Sequence, residues 1–229
     1  MSSLFEEISN IHRYLSRQLL YPILLSTLLA VSLYAARVFF SRAFAYDNLV
    51  WNLYLAWLPY VFALTAGLLN FMLPRSWWLL IVPGILWLAF FPNAPYILTD
   101  FLHLEDRPSI PLWYDILLLA SFAWTGCFLA VASLRTMQIL IKEYLGLIAS
   151  WLFVAVALAL GGLGIYLGRF SRWNSWDLVF QPREVLFEVA SRIVNPLSNL
   201  QFYGFTFLFT AFLLVMYLTF ISFRQLSEP

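Results

Sequence analysis

Six long apolar stretches, each bounded by charge, proline or tryptophan, dominate this sequence. A helix needs about 20 mostly apolar residues to cross the roughly 30 Å hydrocarbon core of a bilayer. Only 11% of the residues are charged, against about 25% in an ordinary soluble domain, and a soluble fold of this size cannot hide so much apolar surface. We therefore predict an all-α integral membrane protein with about six transmembrane helices, roughly at residues 19–40, 49–73, 77–98, 113–134, 146–167 and 202–223.

The rest of the chain is predicted to lie at the membrane surface. Residues 1–18 carry apolar side chains at helical spacing and predict a short interfacial helix. Residues 19–223 form the transmembrane domain, with a surface segment at 168–200, and residues 224–229 form a C-terminal tail. The first apolar stretch is too long for the roughly 7–15-residue core of a signal peptide, so we expect it to be retained. Six basic residues against seven on the two sides leave the orientation open.

Composition also excludes some classes of function. A formal net charge of +1 provides no basic field for nucleic acid. The single cysteine, Cys127, rules out an intrachain disulfide. No His-Glu-x-x-His motif or second cysteine accompanies the two histidines, so we predict neither a metal site nor a cofactor.

The third predicted span is interrupted by two prolines three residues apart, Pro92 and Pro95. Each removes a backbone donor and crowds the preceding turn, so carbonyls there need other partners within the protein. Asn93 is placed to supply one, or to cap a new helix. Two interpretations remain open, a kink with a local cap and a discontinuous helix that lines a polar cavity.

Beyond the prolines the pattern predicts an amphipathic helix that reaches residue 107. Asp100 and His103 are the candidate catalytic pair for proton transfer, although a hydrogen-bonded helix end facing water explains the same spacing. Asp115 opens the fourth span, where a carboxylate either favours the helix dipole or binds a ligand. The polar face after the prolines consists of Asn93, Tyr96, Thr99, Asp100, His103, Asp106 and Arg107.

The connection after the fifth span combines arginines, amides and indoles. Arg169 and Arg172 are candidates to hold an anionic group, while Asn174 and Asp177 are further candidate binding residues. An ordinary surface loop anchored by tryptophans is the alternative. A surface helix then begins at Pro182, where Glu188 and Arg192 stand four residues apart and can pair.

Helix direction brings these polar segments together. Spans three and five run the same way, so the segments after them lie at the same membrane face. The middles of the predicted spans lack Asp, Glu, Lys, Arg and His, whereas ion-coupled transport generally uses ionisable groups near the midplane. The sequence therefore predicts a polar site at one membrane interface.

Several motifs give this chain a family resemblance. It resembles an uncharacterised bacterial multi-pass membrane family, known only as a domain of unknown function, in Phe-Pro-Asn-Ala-Pro-Tyr at 91–96, Thr-Asp at 99–100, His-Leu at 103–104 and Arg-Trp-Asn-Ser-Trp-Asp at 172–177. The resemblance implies a bacterial cytoplasmic membrane, or a thylakoid membrane if the source is photosynthetic. It implies no activity, and it adds weight to Asn93, Tyr96, Asp115 and the loop residues as a functional group.

Three classes of function follow from these features. The first is a binding or assembly subunit, whose partners are the lipid bilayer, anionic lipid headgroups or another membrane protein. The second is an enzyme that modifies lipids or their headgroups, and the third is a channel or facilitator for small solutes. A binding or assembly subunit is the leading prediction, with Asn93, Tyr96, Asp106, Asp115, Arg169, Arg172, Asn174 and Asp177 as its binding residues.

Overall fold

The computed structural model describes residues 12, 15, 16, 18–74, 76–107 and 110–227, and it does not describe the side chains of residues 179 and 224–227. All regular structure in these residues is helical. Five helical stretches there are long and apolar enough to cross a membrane. The predicted all-α class with membrane-spanning helices is confirmed at this level. The predicted surface helix at 1–18 lies largely outside the described residues.

The first half of the chain forms three of these stretches. Helix α1 is Leu20–Ser41 and α2 is Asn48–Met72. The third stretch is a succession of short helices: a 3-10 turn at Trp77–Leu80, α3 at Ile81–Phe90, α4 at Asn93–Tyr96 and a 3-10 helix at Ile97–His103. The predicted helix to residue 107 thus ends at His103, after which Leu104 is extended with ψ of 118°.

The fourth and fifth apolar stretches belong to one helix, α5 at Leu112–Tyr166. Gly146 divides it into two arms, residues 112–145 and 147–166, because its φ of 84° and ψ of 178° are not helical. Glycine reaches such angles without the steric penalty of a side chain. The chain continues through a π-helical turn at Leu167–Ser171, α6 at Asp177–Phe180, α7 at Pro182–Val194, a 3-10 turn at Pro196–Asn199 and α8 at Leu200–Ser227. Helix α8 therefore extends beyond residue 223.

The arms of α5 form the centre of the bundle and pack against α1, α2 and α8. Large aromatic side chains fill the space around α3. The buried Trp87 indole lies 4.8 Å from the Phe91 ring and 5.5 Å from the Phe153 ring, measured between centroids. Many large apolar side chains on the outer surfaces of the helices are exposed, as expected where lipid replaces water as the solvent.

Glycines bring the arms of α5 into contact with residues 91–96, which we call the proline segment. A Cβ atom on Gly126 would lie 2.3 Å from the Ala94 carbonyl oxygen, and one on Gly164 would lie 2.5 Å from Pro92 Cγ. Neither distance is sterically possible, so both positions require glycine for this close approach. The proline segment consequently lies against both arms of α5.

Candidate functional site

The proline segment follows a helical path even though its hydrogen bonding is irregular. Phe91 and Pro92 keep right-handed helical φ and ψ angles. The Ala94 N–H donates to the Phe91 carbonyl at 3.2 Å, and the Tyr96 N–H donates to the Pro92 carbonyl at 3.0 Å. Local turns thus supply partners for backbone groups that the prolines would otherwise leave unpaired.

Asn93 does not cap its own helix. Its side-chain amide instead donates to Ser175 Oγ at 2.9 Å. Ser175 belongs to residues 172–177, which we call the tryptophan loop. Two motifs that are 82 residues apart in the sequence are therefore joined by a direct side-chain contact.

Arg169, in the π-helical turn, reaches across to the third helical stretch. Its guanidinium donates to the Thr99 carbonyl oxygen and lies 3.4 Å from Asp100 Oδ1. It also lies over the Tyr96 ring, 5.4 Å from the centroid, and 3.0 Å from His103 Nε2. A guanidinium has only donors, so in this contact the imidazole accepts at Nε2.

Asp100 is 1% exposed and is held from two directions. Asn52 of α2 donates to Oδ2 at 2.8 Å, and Asn48 donates to Oδ1 at 3.4 Å, the same oxygen that Arg169 approaches. Both carboxylate oxygens are therefore occupied by α2 and by the π-helical turn. Asp100 fixes the relative positions of these elements.

The other predicted loop residues lie further out. Asp177 Oδ2 accepts from the Asn174 backbone N–H at 2.7 Å and so stabilises the turn of the tryptophan loop. Arg172 is exposed and has a left-handed φ of 60°. Asp106 is exposed beyond the end of the 3-10 helix. Arg172 therefore does not join the cluster that Arg169 forms with Asp100 and His103.

Asp115 lies in a separate ion pair. Its carboxylate receives two hydrogen bonds from Arg37 of α1, at 2.7 Å from Nε and 2.9 Å from Nη2. Both side chains are 1% exposed, and the Arg37 guanidinium lies 4.9 Å from the Tyr46 ring centroid. This pair fastens α1 to the start of α5.

A second carboxylate, Glu188 on α7, anchors the tryptophan loop. It accepts from Ser171 at 2.5 Å, from the Trp173 indole and from Arg192 at 2.5 Å, so the predicted pair with Arg192 is present. Burial raises the pKa of the Glu188 carboxyl, but these three donors outweigh it and the net pKa lies below the ordinary value.

A cavity of about 140 Å³ lies where the proline segment, the tryptophan loop, the start of α2 and the second arm of α5 meet. Its mouth is open at Trp51 and Asn174, which are exposed, whereas Leu167 and Val185 are buried at its wall. The lining consists of Trp51, Asn52, Leu55, Ala89, Pro92, Asn93, Tyr96, Gly164, Leu167, Gly168, Trp173, Asn174, Ser175, Trp176, Leu178 and Val185.

The sequence did not single out three polar residues: Asn48 and Asn52, which hold Asp100, and Arg37, which pairs with Asp115. Asn48 and Asn52 stand four residues apart at the start of an apolar span, so they share one helix face. That spacing was a usable signal for a polar contact at this end of α2. Among the described residues, no three His, Cys, Asp or Glu side chains are grouped as metal ligands.

The fold defines a class, an all-helical multi-pass membrane protein. Residues 51–216 match the family model described as "Protein of unknown function (DUF1361)", and the chain belongs to that family. The resemblance to an uncharacterised family is thereby confirmed. Neither the curated proteins nor the solved structures contain a match to this chain.

Proposed function

We propose that this protein is a six-span membrane binding or assembly subunit whose polar cavity opens at one membrane interface. The observation that carries the proposal is the cavity itself, because the proline segment and the tryptophan loop both line it and the Asn93–Ser175 hydrogen bond joins them. Concave sites with a few convergent polar groups among aromatic side chains are the usual form of small-ligand sites.

The six-span arrangement follows from the bend at Gly146. A helix of 34 residues, the length of the first arm, already reaches about 51 Å at 1.5 Å per residue, which exceeds the bilayer core. The second arm then returns as the fifth span. Helix α7 lies along the interface, since Val185 packs inward while Leu186 and Phe187 stay exposed. The family resemblance favours a bacterial cytoplasmic membrane, or a thylakoid membrane.

The polar residues take different roles in this proposal. Arg169, held by Asp100, His103 and Tyr96, forms a rigid wall behind the cavity. Arg172 and Asp106 are exposed and form a rim that meets lipid headgroups or a membrane-protein partner. Because the groups around Arg169 are fixed before any ligand arrives, binding costs little reorganisation.

Filling the cavity tests this proposal. Ser175→Trp places a large ring in the cavity, whereas Ser222→Trp on exposed α8 adds the same ring elsewhere. We expect native mass spectrometry of gently extracted protein to find a bound small molecule or partner on the wild type and on Ser222→Trp, and to find it lost from Ser175→Trp. A bound species shared by all three proteins, or absent from the wild type, would contradict the proposal.

A headgroup-modifying enzyme is the second candidate. The observation that favours it is the exposed imidazole of His103 beside the Arg169 guanidinium. On this reading Arg169 turns to the anionic part of the headgroup, which leaves Nε2 of His103 free to accept a proton from the headgroup. On this alternative, His103→Ala alters membrane lipid composition at unchanged protein level. An unaltered lipid profile would remove the enzyme from consideration.

A further inference from the structure

We propose that the cavity takes a neutral, hydroxyl-rich group the size of one sugar ring, supplied either by a glycolipid headgroup or by a free sugar. This inference rests on the proposed binding function and adds the chemical class of the ligand. The charge of the cavity, its unused hydrogen-bonding groups and its aromatic lining support this ligand class.

The electrostatics of the cavity favour a neutral ligand. Among the described residues that line it, none is an Asp, Glu, Lys, Arg or His. The charged groups that contact lining residues already have partners. Arg169 and Asp100 lie 3.4 Å apart and offset each other. Glu188 is paired with Arg192, and Asp177 accepts from the Asn174 backbone N–H. A cationic headgroup would approach the Tyr96 ring that Arg169 already covers, and an anionic headgroup would find no unpaired cation in the lining.

The asparagines supply unused acceptors. Asn52 donates its amide to Asp100, and Asn93 donates its amide to Ser175. Neither carbonyl oxygen has a hydrogen-bond partner among the described residues. Ser175 Oγ accepts from Asn93 and keeps its own proton for a ligand. This set offers acceptors and a donor together, which matches hydroxyl groups, because each hydroxyl both donates and accepts.

Indoles supply the apolar surface that the C–H face of a sugar ring requires. Trp51, Trp173 and Trp176 all line the cavity. The Trp173 indole is fixed by its N–H bond to Glu188, so its ring is already in place before a ligand arrives. Large aromatic faces bury apolar area while amides at their edges orient the polar atoms.

The volume limits the size of the buried group. At about 30 Å³ per water molecule, 140 Å³ corresponds to about five waters. One small ring or a glycerol-sized group fits, and the remainder of a larger molecule would extend through the open mouth at Trp51 and Asn174. A lipid-linked sugar reaches such a mouth from the bilayer, and a free sugar reaches it from water.

The test uses the full chain in a polyoxyethylene detergent, which carries no sugar that would compete. Native mass spectrometry follows titrations with galactosyl diacylglycerol, phosphatidylglycerol, phosphatidylcholine and free galactose. We expect one galactosyl lipid to bind about tenfold or more tightly than either phospholipid. Competition by free galactose at comparable concentration would identify the free sugar as the source, and its absence would identify the lipid headgroup.

Two variants locate the site. Asn93→Asp keeps the shape of the side chain but adds a charge, and Trp51→Leu removes an aromatic face at the mouth. Each should weaken glycolipid binding by about tenfold, the loss expected from one or two neutral contacts. Asn195→Asp, at an exposed position after α7 and outside the cavity lining, is the control and should bind as the wild type does.

The outcomes separate the two proposals. Phospholipid binding that equals or exceeds glycolipid binding, and that is lost in Asn93→Asp, overturns the ligand class but leaves the binding function. Glycolipid binding that neither variant changes also overturns the inference. If no ligand binds and Ser175→Trp behaves as the wild type in the cavity-filling experiment, the proposed function itself fails.

Discussion

Single arginines hold the polar end of the helix bundle together. Arg169 joins the π-helical turn to Asp100, and Arg37 joins α1 to Asp115. Span order in the sequence was sufficient to predict that Asp100 and Arg169 lie at the same membrane face. It could not predict the Arg37–Asp115 pair, whose members are 78 residues apart, because contacts between helices depend on packing that no local pattern encodes.

Removing one partner of the buried pair should destabilise the protein strongly. Asp115→Ala leaves the Arg37 guanidinium buried without its counter-ion, which costs about 3–5 kcal/mol. The control is Glu105→Ala, because Glu105 and Arg107 form an ion pair with 70% and 34% exposed side chains and its loss should cost less than about 1 kcal/mol. Thermal unfolding in detergent measures the loss of stability in both variants. Equal losses would contradict a stabilising role for the buried Arg37–Asp115 pair.

The Glu188 carboxyl should make the stability of the folded protein depend on pH. Its folded pKa is below the ordinary value of 4.5, so its contribution to stability is present above about pH 4.5 and is lost as the pH falls through the lower folded value. The wild type should therefore lose stability on acidification more steeply than Glu188→Gln. Glu184→Gln, on an exposed position of α7, should keep the wild-type profile. Superimposable profiles for all three proteins would show that Glu188 is not the group responsible.

Local sequence patterns predict some features of the helices and leave others open. The length and composition of the apolar stretches were enough to predict an all-helical chain with helices long enough to cross a membrane. The pattern after Pro95 suits both α-helix and 3-10 helix over a few residues, since positions three apart share a face in each. It therefore gave the side that Asp100 and His103 share, but not the end of the helix at His103.

The close approach between α5 and the proline segment can be tested with alanine. Gly126→Ala would put a methyl group 2.3 Å from the Ala94 carbonyl oxygen, so the two elements must separate, at a cost of about 1–3 kcal/mol. Gly204→Ala meets nothing within 4 Å and should be neutral or stabilise α8 by up to about 1 kcal/mol. Unfolding temperatures that shift equally would refute the contact.

At the scale of the whole molecule, the two ends of the helix bundle differ. The end with the proline segment holds Asp100, His103, Arg169 and the cavity. The opposite end holds a smaller polar contact in which Asn70 donates to Glu143 at 2.9 Å. The order of spans predicted this separation, whereas the cavity required knowledge of how α2 and the second arm of α5 pack.

Sided labelling tests the path of the chain through the bilayer. In a Cys127→Ser background, Arg107→Cys and Asn174→Cys should react with an impermeant thiol reagent from the same side. Glu143→Cys, at an exposed position near the end of the first arm of α5, should react from the other side. Labelling of Arg107→Cys and Asn174→Cys from opposite sides would exclude a second crossing after Gly146.

Cross-linking tests most directly whether the two motifs form one site. In the Cys127→Ser background, Asn93→Cys and Ser175→Cys replace side chains whose polar atoms lie 2.9 Å apart. A short bifunctional thiol reagent applied to membranes should join them and convert a chain cut between the two positions into a single species on a denaturing gel. The pair Asn70→Cys and Ser175→Cys, at opposite ends of the bundle, should stay unlinked. If the first pair fails to cross-link while both cysteines react singly, the proline segment and the tryptophan loop do not share a site.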